Sequence, residues 1–190
     1  MKIGTDLDGV VVEFARGFLK FYNQKFGTNL KYENWRVYDF GEAFGIPREE
    51  ERNLVREFQQ LNLSDSLNLI EGVKESIDRL AKNNQLYVIT SRPLKLKEKT
   101  EKFLKRNFSG INFQVFYSDE FNKEHSDGKA EICKRERIEV YVEDSLECAV
   151  ACSEITKVFL LDKPWNQGNF ENNRIIRVTN WKEVLGKLKK

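Results

Sequence analysis

Lys2-Ile3-Gly4-Thr5-Asp6-Leu7-Asp8-Gly9-Val10-Val11-Val12 is the stretch whose reading decides the fold. It reads as a short buried strand that ends in two carboxylates one residue apart, with glycine directly after. Open α/β sheets bind ligands in the crevice outside the carboxyl ends of their strands. Carboxylates that converge there repel: at about 4 Å and an effective dielectric of about 20, a like-charge pair costs on the order of 4 kcal/mol. The pattern therefore asks for a cation, and hard oxygen ligands favour Mg²⁺. Gly9 lets the backbone turn tightly beside the bound group. Taken alone, Asp6, Asp8 and Gly9 also read as an ordinary turn after a first strand. Gly4 and Gly9 have P-loop spacing, but Val10 and Val11 stand where Lys and Ser/Thr should follow, so the stretch is not a P-loop.

Outward from this strand, Phe14, Phe18, Phe21 and Tyr22 recur at helical spacing, with Gly27 as a C-cap. Residues 28 to 46 hold Trp35, Tyr38, Phe40 and Phe44 among polar residues, without a clear period. Pro47 then opens a helix whose first turn carries Glu49, Glu50 and Glu51, where the helix dipole favours negative charge. Leu54, Val55, Phe58 and Leu61 make its expected apolar stripe. No strand is expected between Val12 and Gln85, so this helical stretch reads as an insertion into an α/β frame. From Gly72 the rhythm is regular: a helix from Val73, then a strand Leu86 to Ile89 ending at Thr90-Ser91-Arg92-Pro93. A Lys-rich helix follows, with Leu96, Thr100, Phe103 and Leu104 on its apolar face, and then a strand near Phe113 to Tyr117. Lys129 opens another helix, and Val140 to Val142 form a strand that ends at Glu143-Asp144. A helix from Leu146, strands Val158 to Leu161 and Ile175 to Val178, and a helix from Trp181 complete the alternation. That alternation predicts an α/β protein with a parallel sheet.

The 190 residues suit one domain, or a core with a modest insertion, and 40% hydrophobic content supplies a real core. Charge is balanced, with 32 basic against 30 acidic residues, and no dense basic run with interleaved aromatics points to a nucleic acid polymer. No stretch approaches 18 apolar residues, so no membrane span is expected. The strand at the N-terminus leaves no room for a signal peptide. Cys133, Cys148 and Cys152 are an odd number without companion ligands at zinc spacing, and read as reduced thiols of a cytoplasmic protein.

Four signals then line up at strand ends and helix starts: Asp6 with Asp8, Thr90 with Ser91, Lys129, and Glu143 with Asp144. Each has a plain explanation alone, as a cap, a turn or a solvated charge. Together they make a coherent phosphate-transfer site. In this order and spacing they resemble the haloacid dehalogenase-like (HAD) phosphohydrolase superfamily.

The resemblance implies a Rossmann-like parallel-sheet core at 1–13 and 71–190, with a small α-helical cap inserted after the first strand at 14–70. It implies Asp6 as nucleophile and Asp8 as general acid and base, with Thr90, Ser91 and Lys129 on the phosphoryl group. It implies Mg²⁺ held by Asp6, Asp144 and the Asp8 carbonyl, supported by Glu143, which stands where many relatives have Asp. Superfamily members that keep Asp at the position of Asp8 are phosphatases and phosphomutases, which favours a hydrolase of a small phosphomonoester. The opening motif, the short helical cap, Ile89-Thr90-Ser91-Arg92-Pro93 and Leu161-Asp162-Lys163-Pro164-Trp165-Asn166 are most similar to the 5′(3′)-deoxyribonucleotidase branch, although Arg92 departs from its usual pattern. Trp35, Tyr38, Phe40 and Phe44 in that cap read either as a substrate-facing wall able to stack on a base or as rings that simply pack a small helical cap. A phosphatase for a small sugar or organic-acid phosphate, and a catalytically idle binding domain, are the alternatives. The residues specify no oligomeric state.

Overall fold

A computed structural model describes residues 1–62, 67–118, 128–168 and 170–188. Six parallel strands form its centre: β1 (Lys2–Thr5), β2 (Gln85–Thr90), β3 (Gln114–Tyr117), β4 (Val140–Glu143), β5 (Lys157–Leu161) and β6 (Ile175–Val178). Their spatial order is β3-β2-β1-β4-β5-β6. The register is continuous across the centre, with Thr5 opposite Val88 on one side and Val142 on the other. The inner strands are runs of buried apolar residues because both faces of the sheet are covered, as parallel sheets require. The covering helices are α4 (Val73–Leu80), which completes the connection from β1 to β2, then α5 (Lys97–Asn107), α6 (Lys129–Glu136), α7 (Leu146–Ser153) and α8 (Trp181–Leu188). On α5, Thr100, Phe103 and Leu104 are buried as their spacing predicts, beside Leu96 in the turn before it.

Strand order fixes where the chemistry sits. The chain lays β2 and β3 on one side of β1, then returns to lay β4, β5 and β6 on the other. The switch falls between β1 and β4, whose carboxyl ends carry Asp6-Leu7-Asp8 and Glu143-Asp144. An open sheet has its crevice at that point.

Between β1 and β2 the chain forms α1 (Phe14–Phe26), α2 (Phe40–Phe44) and α3 (Arg48–Asn62). Gly27 ends α1 at φ 64°. Asp39 caps α2 by accepting from the Glu42 N–H, and Gly45 ends it at φ 70°. The two connections to this segment lie side by side, with the Ile70 N–H donating to the Val11 carbonyl and the Glu13 N–H to the Asn68 carbonyl, both at 2.9 Å. Residues 63–66 of the expected cap lie outside the described residues. The apolar cluster runs unbroken from Ile3 and Val142 through Phe18, Trp35, Phe40 and Phe58, so the inserted helices share the core of the sheet. The expected stripe of α3 needs one correction. Leu54 and Phe58 are buried, but Leu61 is 65% exposed, because it lies near the helix end where none of the described residues covers it.

Candidate active site

Past β1 the backbone folds back on itself. The Val11 and Val12 N–H groups both donate to the Leu7 carbonyl, at 2.9 and 3.0 Å, and the Gly9 N–H donates to the Val12 carbonyl at 2.9 Å. The Trp181 indole N–H, from α8, holds the Val10 carbonyl at 2.8 Å. Gly9 has φ +85°, and a Cβ there would lie 2.0 Å from Asp144 Oδ2. Glycine is needed both for the turn and for the approach of the Asp144 carboxylate.

The turn delivers Asp6 to the end of β4. Asp6, Glu143 and Asp144 are buried, and each offers a carboxylate oxygen within 4.8 Å of the others. Lys129, the first residue of α6, is buried among them, its Nζ 3.1 Å from Asp6 Oδ1 and 3.0 Å from Glu143 Oε2. Both oxygens of Glu143 are engaged, since Oε1 accepts from the Asp144 and Ser145 N–H groups at 2.9 and 3.1 Å. Asp144 Oδ1, in contrast, is buried with no hydrogen-bond partner.

Three buried carboxylates against one buried ammonium leave two negative charges. Burial pushes the Asp6 carboxyl up to about 8; the Lys129 ammonium opposes this, while Glu143 and Asp8 add to it. Burial also holds Asp144 well above the ordinary carboxylate range, reinforced by Glu143 and Asp6. Burial works the same way on Glu143, but Lys129 and the hydrogen bonds it accepts bring its pKa below the ordinary value. Burial disfavours the Lys129 charge, yet Asp6 and Glu143 together raise its pKa well above the ordinary value. The excess of two negative charges, the orphaned Asp144 Oδ1 and the all-oxygen donor set fit one hard divalent cation.

Asp8 stands apart from this cluster. Its carboxylate accepts a forked pair of hydrogen bonds from Arg92, Nε to Oδ2 at 2.8 Å and Nη2 to Oδ1 at 2.5 Å. Arg92 is only 1% exposed, and its Nη1 also donates to Thr100 Oγ1 at 3.3 Å. The residue that looked like a departure after Thr90-Ser91 is thus a buried partner of Asp8, which the sequence reading missed. Thr100, a hydroxyl on the buried face of α5, was the signal that a polar group sat beneath. Thr90 Oγ1 accepts from the Arg92 N–H at 3.3 Å, and Ser91 Oγ lies 3.4 Å from Ser118 Oγ.

A cavity opens over these groups. Asp6, Asp8, Gly9, Thr90, Ser91, Arg92 and Asp144 line it together with residues of the inserted helices, Trp35, Tyr38 and Phe40 among them. Three of the four expected cap rings therefore reach the cavity. Tyr38 is 54% exposed. Trp35 and Phe40 are buried, packed against each other at 4.9 Å between centroids. Phe44 does not line it; the ring lies behind, 4.8 Å from Phe40 and 6.1 Å from Trp35, because the short α2 turns that side toward the core.

Trp165 also lines the cavity, which the sequence left as a loop residue. Its indole N–H holds the Asp144 carbonyl at 3.1 Å while its ring packs 5.4 Å from Trp35, joining the inserted segment to the carboxylate cluster. Asn166 supports the same carbonyl at 2.8 Å, and is itself held by Arg177 at 2.7 Å.

The fold and this arrangement of strand-end carboxylates and buried lysine define a HAD-like hydrolase. Solved structures agree on the fold. A HAD-like family protein from Streptococcus pneumoniae, SP0104, superposes with TM-score 0.66 at 13% identity, over 98% of this chain and 97% of the other. The HAD hydrolase YfnB from Bacillus subtilis, described as bound to magnesium, superposes with TM-score 0.63 at 14% identity, over 100% and 98%. The sequence model of the family described as "5' nucleotidase, deoxy (Pyrimidine), cytosolic type C protein" matches residues 1–189, and the chain belongs to that family. It is a phosphomonoester hydrolase of nucleotidase type. Among curated relatives, "Putative nucleotidase BH1399" of Halalkalibacterium halodurans is 28% identical over 96% of this chain and 90% of its own length. A nucleotidase of Clostridium acetobutylicum is 25% identical over 98% and 92%.

Proposed function

We propose that this protein is a cytoplasmic, Mg²⁺-dependent phosphatase of (deoxy)nucleoside monophosphates that works through an aspartyl-phosphate. The observation that carries this reading is one cavity lined both by residues of the carboxylate cluster and by aromatic rings of the inserted segment. The names of the relatives point the same way. Asp6 and Asp144 would hold the cation through their carboxylates and Asp8 through its carbonyl, while Glu143 fixes Lys129. A cation held there would offset the excess negative charge and favour the ionised form of Asp6.

Phosphate monoester hydrolysis is among the slowest uncatalysed reactions, up to about 10²¹-fold from an enzymatic rate. Division into two displacements through a covalent intermediate lowers that barrier. An Asp6 oxygen attacks phosphorus as the ester P–O bond breaks, and Asp8 gives a proton to the departing alkoxide. Asp8 then takes a proton from the attacking water as the bond between phosphorus and Asp6 breaks, which releases phosphate and restores the site. Lys129 and the hydroxyls of Thr90 and Ser91 stabilise charge on the phosphoryl oxygens. The Arg92 fork fixes the orientation of Asp8. Residues 14–70 act as a cap that excludes water and admits the substrate; Trp35, Tyr38 and Phe40 form its wall, with Phe44 as the ring that backs them. Cys133, Cys148 and Cys152 form no disulfide among the described residues, which suits a reducing compartment.

The test is Mg²⁺-dependent phosphate release across nucleoside monophosphates, sugar phosphates and phosphoglycolate, with EDTA as control. Preference for deoxynucleotides supports the reading. Preference for a small phosphate keeps the chemistry and replaces the substrate. No release from any of them, p-nitrophenyl phosphate included, overturns both.

A further inference from the structure

The helix α3 presents two polar residues to the cavity, Glu51 and Gln59, that its apolar stripe does not predict. Glu51, Val55 and Gln59, each four residues on from the last, all line the cavity and so share one helical face. The two polar members differ. Glu51 is occupied, since its Oε1 accepts from the Phe40 N–H at 3.0 Å. Gln59 is 5% exposed, and its side chain has no hydrogen-bond partner among the described residues. Gln59 lines the cavity, so its carboxamide is available to a polar group placed there. The inserted segment lines the cavity chiefly with apolar and aromatic side chains, Phe14, Phe18, Trp35, Phe40 and Val55, with Tyr38, Glu51 and Gln59 as its polar members. A mostly apolar pocket with a few placed polar groups is how a site fixes the orientation of a flat ligand.

We infer that Gln59 is the base-reading residue of this site, pairing its carboxamide with the hydrogen-bonding edge of a nucleobase. This inference rests on the nucleotidase reading and adds to it the group that recognises the base. A carboxamide carries a donor and an acceptor side by side. It complements the amide edge of uracil, thymine or guanine in one orientation and the amidine edge of cytosine or adenine in the other. Sugar phosphates and phosphoglycolate have no such edge. Aromatic rings in the same wall stack on any base and cannot rank one against another, whereas an edge contact can.

The experiment compares kcat/KM of wild type, Gln59→Leu and Gln59→Glu on the four deoxynucleoside 5′-monophosphates, on deoxyribose 5-phosphate and on p-nitrophenyl phosphate. Deoxyribose 5-phosphate keeps the phosphate and sugar and removes only the base. Gln59→Leu is expected to lose about 10- to 100-fold on the preferred nucleotide, mostly in KM, and to stay within about twofold of wild type on the two base-free substrates. Gln59→Glu offers acceptors alone, so it is expected to re-rank the nucleotides toward bases with an exocyclic amino group and away from thymine. Equal losses on nucleotides and base-free substrates would make Gln59 a packing residue and overturn the inference. Unchanged nucleotide preference in Gln59→Leu would overturn it while leaving the nucleotidase reading intact. A wild-type enzyme that does not distinguish a nucleotide from deoxyribose 5-phosphate would overturn both.

Discussion

The strand ends and the inserted helices line one cavity, yet they are built by different rules. At the strand ends every functional group is fixed by backbone. Asp6 follows β1, Glu143 ends β4, Lys129 starts α6, and Gly9 is shaped to let Asp144 approach. In the inserted segment position depends heavily on ring packing, with Trp35, Phe40, Phe18 and Phe58 interlocked at centroid distances of 4.8 to 6.4 Å. The first region should therefore answer substitution with loss of chemistry, and the second with changes in affinity and substrate ranking. That contrast can be broken experimentally.

The largest effect is expected at Asp6. Asp6→Asn removes the proposed nucleophile and should abolish steady-state phosphate release by about 10⁴-fold or more. Rapid-quench detection of phosphoenzyme should likewise find none. Because the change also removes a buried charge from a cluster with excess negative charge, the metal-free variant should melt above metal-free wild type. Activity retained within tenfold would remove Asp6 from the role proposed for it.

Lys129→Ala comes next. It strips the one ammonium from three carboxylates, and breaking such a buried pair typically costs about 3–5 kcal/mol. Activity should fall by about 10²–10³-fold even at saturating Mg²⁺, as for loss of one preorganised charge partner. Urea unfolding and phosphate release measure the two effects separately. A fully stable Lys129→Ala protein would contradict the buried geometry.

Asp8→Asn should discriminate between substrates. Loss of a positioned acid costs about 10²–10⁴-fold where the leaving group needs a proton. On a nucleoside monophosphate the full loss is expected, and on p-nitrophenyl phosphate a distinctly smaller one, limited by the second step. Equal losses on both would speak against Asp8 as the acid of the first step.

Much of this half of the molecule was legible in the sequence because strand, turn and carboxylate lie within a few residues of one another. Continuous apolar runs gave the inner strands, and the residue types at their ends gave the cluster. The Asp8–Arg92 fork was not legible, for its partners are 84 residues apart and only the β1–β2 register brings them together. Residues 28–46 showed no period because α2 has only five residues, too few for a helical repeat. Its caps, Asp39 and Gly45, were the readable sign. Gln59 escaped because a stripe read by hydrophobicity passes over a polar residue facing a cavity.

Removal of the metal sharpens the comparison through pH. The Asp6 carboxyl rises from an ordinary 3.8 to about 8 in the folded protein. Between those values the metal-free native state holds a proton that the unfolded chain has released. Stability then falls as pH rises through this window. Asp144 is shifted in the same direction. Thermal unfolding in EDTA should show Tm dropping from pH 5 to pH 8, and saturating Mg²⁺ should reverse the drop by binding the ionised carboxylates. A metal-free Tm that rises over this range would contradict the charge excess assigned to the cluster.

The smallest effects belong to the aromatic wall, where structure divides rings that sequence groups together. Tyr38 presents half its surface to solvent and the cavity, whereas Phe44 touches only Trp35 and Phe40 among the cap rings. Tyr38→Leu should raise KM for the preferred nucleotide about 5- to 20-fold through lost contact with the base, with kcat and p-nitrophenyl phosphate turnover little changed. Phe44→Leu should shift the same KM by no more than about twofold and show its cost in stability, on the order of 1 kcal/mol, because a smaller side chain under-fills the space behind Trp35. A larger KM effect from Phe44→Leu than from Tyr38→Leu would mean that the packing behind the wall sets affinity. The contrast between a backbone-fixed region and a ring-packed region would then have to be redrawn, with the inserted helices acting as one rigid unit in binding.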